Sequence, residues 1–129
     1  MALRFLVADD DVSSGRLFRI YLEDMGEVVL AEDGQEALRL FKEALDLGNP
    51  FDGVVLDMLM PRADGAEVLE GIRTLESSRG LKPVPVVVIS ALDQEEVEEA
   101  MVRDPMGAMV QKPVLKGALI GALKGLMGG

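Results

Sequence analysis

Three consecutive acids, Asp9, Asp10 and Asp11, follow a short apolar run near the start of the chain. Asp57 ends a later apolar run, Ser90 ends another, and Lys112 follows the last. Gathered in one place, such groups suit one kind of chemistry. Crowded carboxylates repel one another, and Lys112 alone cannot neutralise Asp9, Asp10 and Asp57. A hard divalent cation can: Mg2+ takes a few carboxylate oxygens and keeps places for water and phosphate oxygens. Between metal and lysine, an incoming phosphoryl group meets positive charge on two sides. A carboxylate can then act as nucleophile and form an aspartyl-phosphate. Phosphoryl transfer asks the protein mainly to position groups and screen charge. Ser90 offers a short hydroxyl to a phosphoryl oxygen.

These residues meet only if the elements between them bring them together. Apolar runs alternate with helical patterns along the whole chain. Phe5–Ala8 reads as a first strand. Ser13–Met25 reads as a helix with Leu17, Phe18, Tyr21, Leu22 and Met25 on one face, capped by Ser13 or Ser14. Val28–Ala31 is a second strand, and Asp33-Gly34 turns into a helix carrying Ala37, Leu38, Phe41, Ala44 and Leu45. Val54–Leu56 is a third strand, ended by Asp57. A helix capped by Asp64 follows, with Val68, Leu69, Ile72 and Leu75. Ser77–Pro85 reads as a surface connection. Pro85–Ile89 is a fourth strand, Gln94–Val102 a short acidic helix, Ala108–Gln111 a fifth strand, and Leu115–Met127 a closing helix.

A βα unit repeated in this way implies right-handed crossovers and a parallel sheet covered on both faces. Continuous rather than alternating apolar strands support burial on both sides. Ligands of such sheets bind beyond the carboxyl ends of the strands, where strand order reverses. Asp9, Asp10, Asp57, Ser90 and Lys112 all follow strands and so share that edge.

Composition narrows the function. The chain has 129 residues, 49% of them hydrophobic, which suits one domain with its own core. With 23 acidic and 13 basic residues the net charge is -10, which argues against direct nucleic-acid binding. Cysteine and histidine are both absent, which removes disulfides, thiolate and histidine metal sites, and any phosphohistidine on this chain. No apolar stretch is long enough to span a bilayer, so a soluble cytoplasmic protein is expected. No G-x-x-x-x-G-K loop occurs, so ATP is not the expected direct donor.

The motifs Phe5-Leu-Val-Ala-Asp9-Asp10, Leu56-Asp57-Met-Leu-Met-Pro61 with Asp64-Gly65, Val88-Ile-Ser90-Ala91 and Lys112-Pro113 run in order at successive strand ends. In this the chain resembles the receiver domain of response regulators, across essentially its whole length. The resemblance implies a flavodoxin-like, doubly wound (βα)5 sandwich with a five-stranded parallel sheet in order 2-1-3-4-5, a single receiver domain over 1–129 without an output domain. It implies that Asp57 is the phosphoacceptor. Asp10 would bind Mg2+ or Mn2+ directly, Asp9 would hold metal-bound water, and Asp57 and the Leu59 carbonyl would complete the ligands. Ser90 matches the switch hydroxyl, Lys112 the phosphoryl-binding lysine, and Pro113 is expected to follow a cis peptide bond. The donor would be a sensor histidine kinase, a histidine phosphotransfer protein or a small acyl phosphate. Output would pass through the face of the acidic helix, the fifth strand and the last helix, as partner binding or dimerisation. Such a domain phosphorylates and dephosphorylates itself and is not a conventional enzyme.

The chain departs from the family in places. Met109 stands where an aromatic residue usually follows the switch hydroxyl inward, and methionine is flexible enough to fill that space. Arg103-Asp-Pro-Met-Gly107 ends the acidic helix abruptly. Leu59 and Leu92 replace polar residues that often tune dephosphorylation, which suggests a longer phosphorylated lifetime. In the last helix Leu115, Ala118, Leu119, Ala122 and Leu126 read as the core stripe. Gly117, Gly121 and Gly125 line up beside it, each costing about 1 kcal/mol against alanine. They indicate either tight packing or a self-association or partner face.

Blander readings exist for each residue taken singly. Asp9 and Asp10 suit helix N-caps, Asp11 a solvated or capping acid, Ser90 a turn and Lys112 a surface charge. Glu95, Glu96, Glu98 and Glu99 suit a solvated helix face or, second, a dock for a basic partner. Other functions of the same fold fit less well. A flavin binder needs a hydroxyl- and glycine-rich phosphate loop where three aspartates stand. A phosphohydrolase using Asp57 needs a substrate pocket that a chain of this size lacks room to cap. A degenerate scaffold would not keep the full set of acids and lysine.

Overall fold

The computed structural model describes residues 3–91 and 103–128. Leu92 and the acidic segment Gln94–Val102 lie outside the described residues. The elements run β1 (Leu3–Ala8), α1 (Val12–Leu22), β2 (Gly26–Ala31), α2 (Gly34–Asp46), β3 (Gly53–Asp57) and α3 (Gly65–Ser78). They continue with β4 (Val86–Ser90), β5 (Gly107–Gln111) and, among the described residues, a fourth helix α4 (Lys116–Met127). All strand pairs are parallel and the order is β2-β1-β3-β4-β5, as expected.

Strand side chains alternate between the two faces, so a sheet covered on both sides buries every position of a central strand. Leu6, Ala8, Val54, Leu56, Val86 and Val88 join a core with Phe41 of α2 and Val68 and Ile72 of α3. Phe5, Val7, Val55, Val87 and Ile89 join a second core with Phe18 and Leu22 of α1 and Leu119 and Leu123 of α4. Full burial of each Val, Leu, Ile or Phe side chain among these stabilises the fold by about 1.5–3 kcal/mol. The register sets Ala8 beside Leu56, Asp57 beside Ile89 and Ser90 beside Gln111. The strands therefore end at one level.

Aspartates start three helices. Asp11 accepts from the Ser13 N–H at 2.9 Å, Asp33 from the Glu36 N–H at 2.8 Å, and Asp64 forms a capping box with Glu67. Each cap contributes about 1 kcal/mol. The expected Ser13 or Ser14 cap of α1 is thus replaced by Asp11, which immediately precedes the first helical residue and whose carboxylate reaches the free Ser13 N–H. Because Asp11 fills this role, Asp9 and Asp10 are left for other work.

A half-buried ion network ties α3 to the entry of β5. Arg73 donates to both carboxylate oxygens of Asp104, to Glu76 and to the Met106 carbonyl. Burial favours loss of the Arg73 proton, but Asp104 and Glu76 outweigh it and hold the guanidinium above its usual range. Glu76 also takes the Val84 N–H at 2.6 Å, which anchors the loop before β4.

Two apolar faces differ from the expected stripes. Leu17 on α1 is exposed, as is Ile20 beside it. On α4 the buried residues are Leu119 and Leu123, whereas Leu115 is 68% exposed and Ala118 is also exposed. Leu115 sits at the N-cap, outside the first turn, so the helix meets the sheet one turn later than the apolar pattern suggests. Among the described residues, tight packing does not explain the α4 glycines. A Cβ placed on Gly117, Gly121 or Gly125 would meet no described atom beyond the helix's own backbone and adjoining residues within 4 Å.

Candidate functional site

The carboxyl edge of the sheet collects the chemistry. Asp9 and Asp10 follow β1, Asp57 ends β3, Ser90 ends β4 and Lys112 follows β5. One carboxylate oxygen from each of Asp9, Asp10 and Asp57 lies within 4.8 Å of the others. Lys112 Nζ lies 3.4 Å from Asp57 Oδ1. Backbone hydrogen bonds continue the ladder past the strand ends and hold these turns. Asp9 N–H donates to Ala31 O, Met58 N–H to Ile89 O and Lys112 N–H to Ser90 O. Gly65 admits α3 close to the acceptor, since a Cβ there would lie 2.9 Å from Asp57 O.

The site is polar but mostly shielded from water. Asp9, Asp57 and Ser90 are each no more than 5% exposed, while Asp10 is open to solvent. Asp9 Oδ1 accepts the Asp11 N–H at 2.9 Å. Among the described residues, its Oδ2 and the Ser90 hydroxyl are buried without a hydrogen-bond partner. Burial raises the Asp9 carboxyl to about 6, and the nearby Asp57 charge adds to the rise. The Asp11 N–H and Lys112 oppose it without cancelling it. An unpartnered carboxylate oxygen inside a cluster of acids is the donor set that a hard cation satisfies. Mg2+ or Mn2+ fits these residues by charge and donor type.

The remaining expected positions are also accounted for. Leu59 lies beside the acids and is 63% exposed; its N–H is 3.4 Å from Asp57 Oδ1. Met109 is half-buried, pairs in register with Val88 and packs on the core shared with α2 and α3. The Lys112-Pro113 peptide bond is cis. Two participants went unread in the sequence. Arg62 adopts a left-handed φ of 69° and its guanidinium pairs with Asp33 at 2.7 Å. The Glu36 N–H, and then Arg62, hold the Asp33 carboxyl below its usual range. Asp33-Gly34 is legible only as a turn, and nothing in the sequence signals that an arginine 29 residues away will meet it.

The model of the response regulator receiver domain family matches residues 5–124. The chain belongs to this family. The receiver domain is similar to part of the sensor histidine kinase GacS of Pseudomonas protegens, at 36% identity over 88% of the chain and 12% of the kinase. It is likewise similar to part of the sensory/regulatory protein RpfC of Xanthomonas campestris, at 32% identity over 97% of the chain and 16% of that protein. It therefore spans less than a fifth of the length of either relative. Its fold superposes on a response regulator receiver domain protein of Clostridium thermocellum with a TM-score of 0.83, at 24% identity over 98% and 94% of the two chains. This is a receiver domain of two-component signalling, a family of signalling switches. Among the described residues, no helix is long and apolar enough to cross a membrane.

Proposed function

We propose that this receiver domain accepts a phosphoryl group on Asp57 from a phosphohistidine of a partner protein, with the help of Mg2+ or Mn2+. The observation that carries this reading is the cluster of Asp9, Asp10 and Asp57 with Lys112 on the acceptor's own oxygen. An Asp57 carboxylate oxygen attacks phosphorus, the bond between phosphorus and the imidazole nitrogen breaks, and the imidazole keeps that electron pair and takes a proton. A bound divalent cation, held by Asp10, Asp57 and the Leu59 carbonyl and through water by Asp9, would neutralise charge at the phosphoryl oxygens. Lys112 passes from the Asp57 carboxylate to a phosphoryl oxygen. The Ser90 hydroxyl, buried and without a partner among the described residues, turns to another phosphoryl oxygen. Met109 then moves into the space Ser90 vacates, which shifts β5 and the face around it.

The transfer leaves the domain itself as product, so it acts as a switch and not as a turnover enzyme. A histidine kinase or phosphotransfer protein is the fitting donor. One solved neighbour, a receiver domain of a yeast response regulator, Ssk1, is held by the histidine phosphotransfer protein Ypd1, and fold likeness supports a similar dock here. Exposed Val12, Leu17 and Ile20 of α1 and exposed Leu59 and Leu115 offer an apolar rim to such a partner. The open glycine face of α4 supports a second role in self-association. Sedimentation with and without phosphorylation tests that role, and a monomer in both states argues against it.

The decisive experiment is incubation with Mg2+ and a small acyl phosphate, read by intact mass, for the wild type and Asp57→Asn. A single phosphoryl adduct in the wild type that is missing from the variant is expected. No adduct in the wild type, or an equal adduct in the variant, overturns the assignment.

A further inference from the structure

We infer that Arg62 is a positioning residue for the cation site. Its ion pair with Asp33 holds the 58–64 loop, and with it the Leu59 carbonyl, in the shape that receives the cation. This inference rests on the proposed reading of the acidic centre.

The loop is fastened at both base and tip. At the base the Gly65 N–H donates to Met58 O at 3.0 Å, and the Met58 N–H donates to Ile89 O at 2.9 Å. In between, the Ala63 N–H donates to Pro61 O and closes a tight turn around Arg62. Arg62 has a φ of 69°, which is unfavourable for a residue with a Cβ and persists only when its surroundings hold it there. The holding contacts come from the β2–α2 turn. Asp33 is buried and spends both carboxylate oxygens on structure: Oδ1 caps α2 through Glu36, and Oδ2 takes Arg62. Gly34 completes the fit, because a Cβ there would stand 2.1 Å from Ala63 O.

An exposed arginine usually gains little from an ion pair. Here the carboxylate partner is nearly buried and fixed by a helix cap, so only the arginine is ordered on pairing. The bracket joins the turn after β2 to the loop after β3, across the edge where Asp9, Asp10 and Asp57 gather.

The direction of the effect separates positioning from simple electrostatics. Removing a positive charge near an acidic centre should tighten cation binding. Losing a positioning clamp should loosen it. The test titrates Mg2+ into wild type, Arg62→Gln, Arg62→Lys and Arg62→Gly, following backbone amide shifts of Asp10 and Asp57, with urea midpoints measured beside them. Arg62→Gln is expected to weaken Mg2+ binding by about threefold to fivefold, the range a modest ion pair represents. Arg62→Lys should recover part of it. Arg62→Gly relieves the backbone, so it should keep or raise the urea midpoint while still weakening Mg2+. Equal or tighter Mg2+ binding by Arg62→Gln, in a wild type that binds Mg2+, overturns the clamp alone. A wild type that binds no Mg2+ overturns the reading of the acidic centre and the clamp with it.

Discussion

Asp9→Asn should stabilise the metal-free protein at neutral pH, although it removes a residue of the acidic centre. The folded Asp9 carboxyl holds its proton up to about pH 6, against 3.8 ordinarily, because burial and the Asp57 charge disfavour its ionised form. That rise corresponds to about 3 kcal/mol. Between these pH values the folded state binds more proton than the unfolded chain, so stability falls as pH rises through this window. Below it Asp9 carries no penalty, and above it the full cost applies. Asparagine keeps an oxygen for the Asp11 N–H and never ionises. Urea unfolding in EDTA, followed by circular dichroism from pH 4 to 7.5, should show the variant and wild type close together at pH 4. The variant's advantage should then grow toward about 3 kcal/mol at pH 7.5. Carboxylates remote from Asp9 titrate alike in both proteins and cancel in the difference, whereas Asp57, which repels the Asp9 charge, is relieved along with it in the variant. Adding Mg2+ at pH 7.5 should stabilise the wild type more than the variant, since only the wild type has this charge to neutralise. A difference that stays flat with pH would refute the claim that Asp9 is ionised at a cost.

Three further outcomes are expected. Gly121→Ala should raise stability by about 1 kcal/mol, read as a higher melting temperature, because the site is open and helical; a loss would mean that this face is packed. Glu76→Gln should lower the urea midpoint by an amount worth about 1.5–3 kcal/mol, since it removes charge from a half-buried hydrogen bond to Arg73; an unchanged midpoint would show that the network is dispensable. Leu59→Asn should hasten phosphate loss severalfold by letting water approach Asp57, measured as the decay of the phosphoryl adduct; an unaltered decay would count against the leucine as a shield.

The order of elements, the parallel sheet and the identity of the edge residues were legible in the sequence because they depend on local pattern. Val54-Val55-Leu56 and Val86–Ile89 are continuously apolar, which only a strand buried on both faces requires. Aspartates, a serine and a lysine fall where each such run stops, and parallel topology brings them together at one edge. What the chain could not announce was which apolar residues face out and which distant charges meet. Leu17 and Leu115 fit helical periodicity yet lie exposed, because burial depends on how far each helix overhangs the sheet. The pairs Arg62 with Asp33 and Arg73 with Asp104 join residues about thirty positions apart. Only the packing of α3 against its neighbours decides that they touch. The raised pKa of Asp9 is likewise a property of the assembled edge, since burial and a second carboxylate come to it through space and not along the chain.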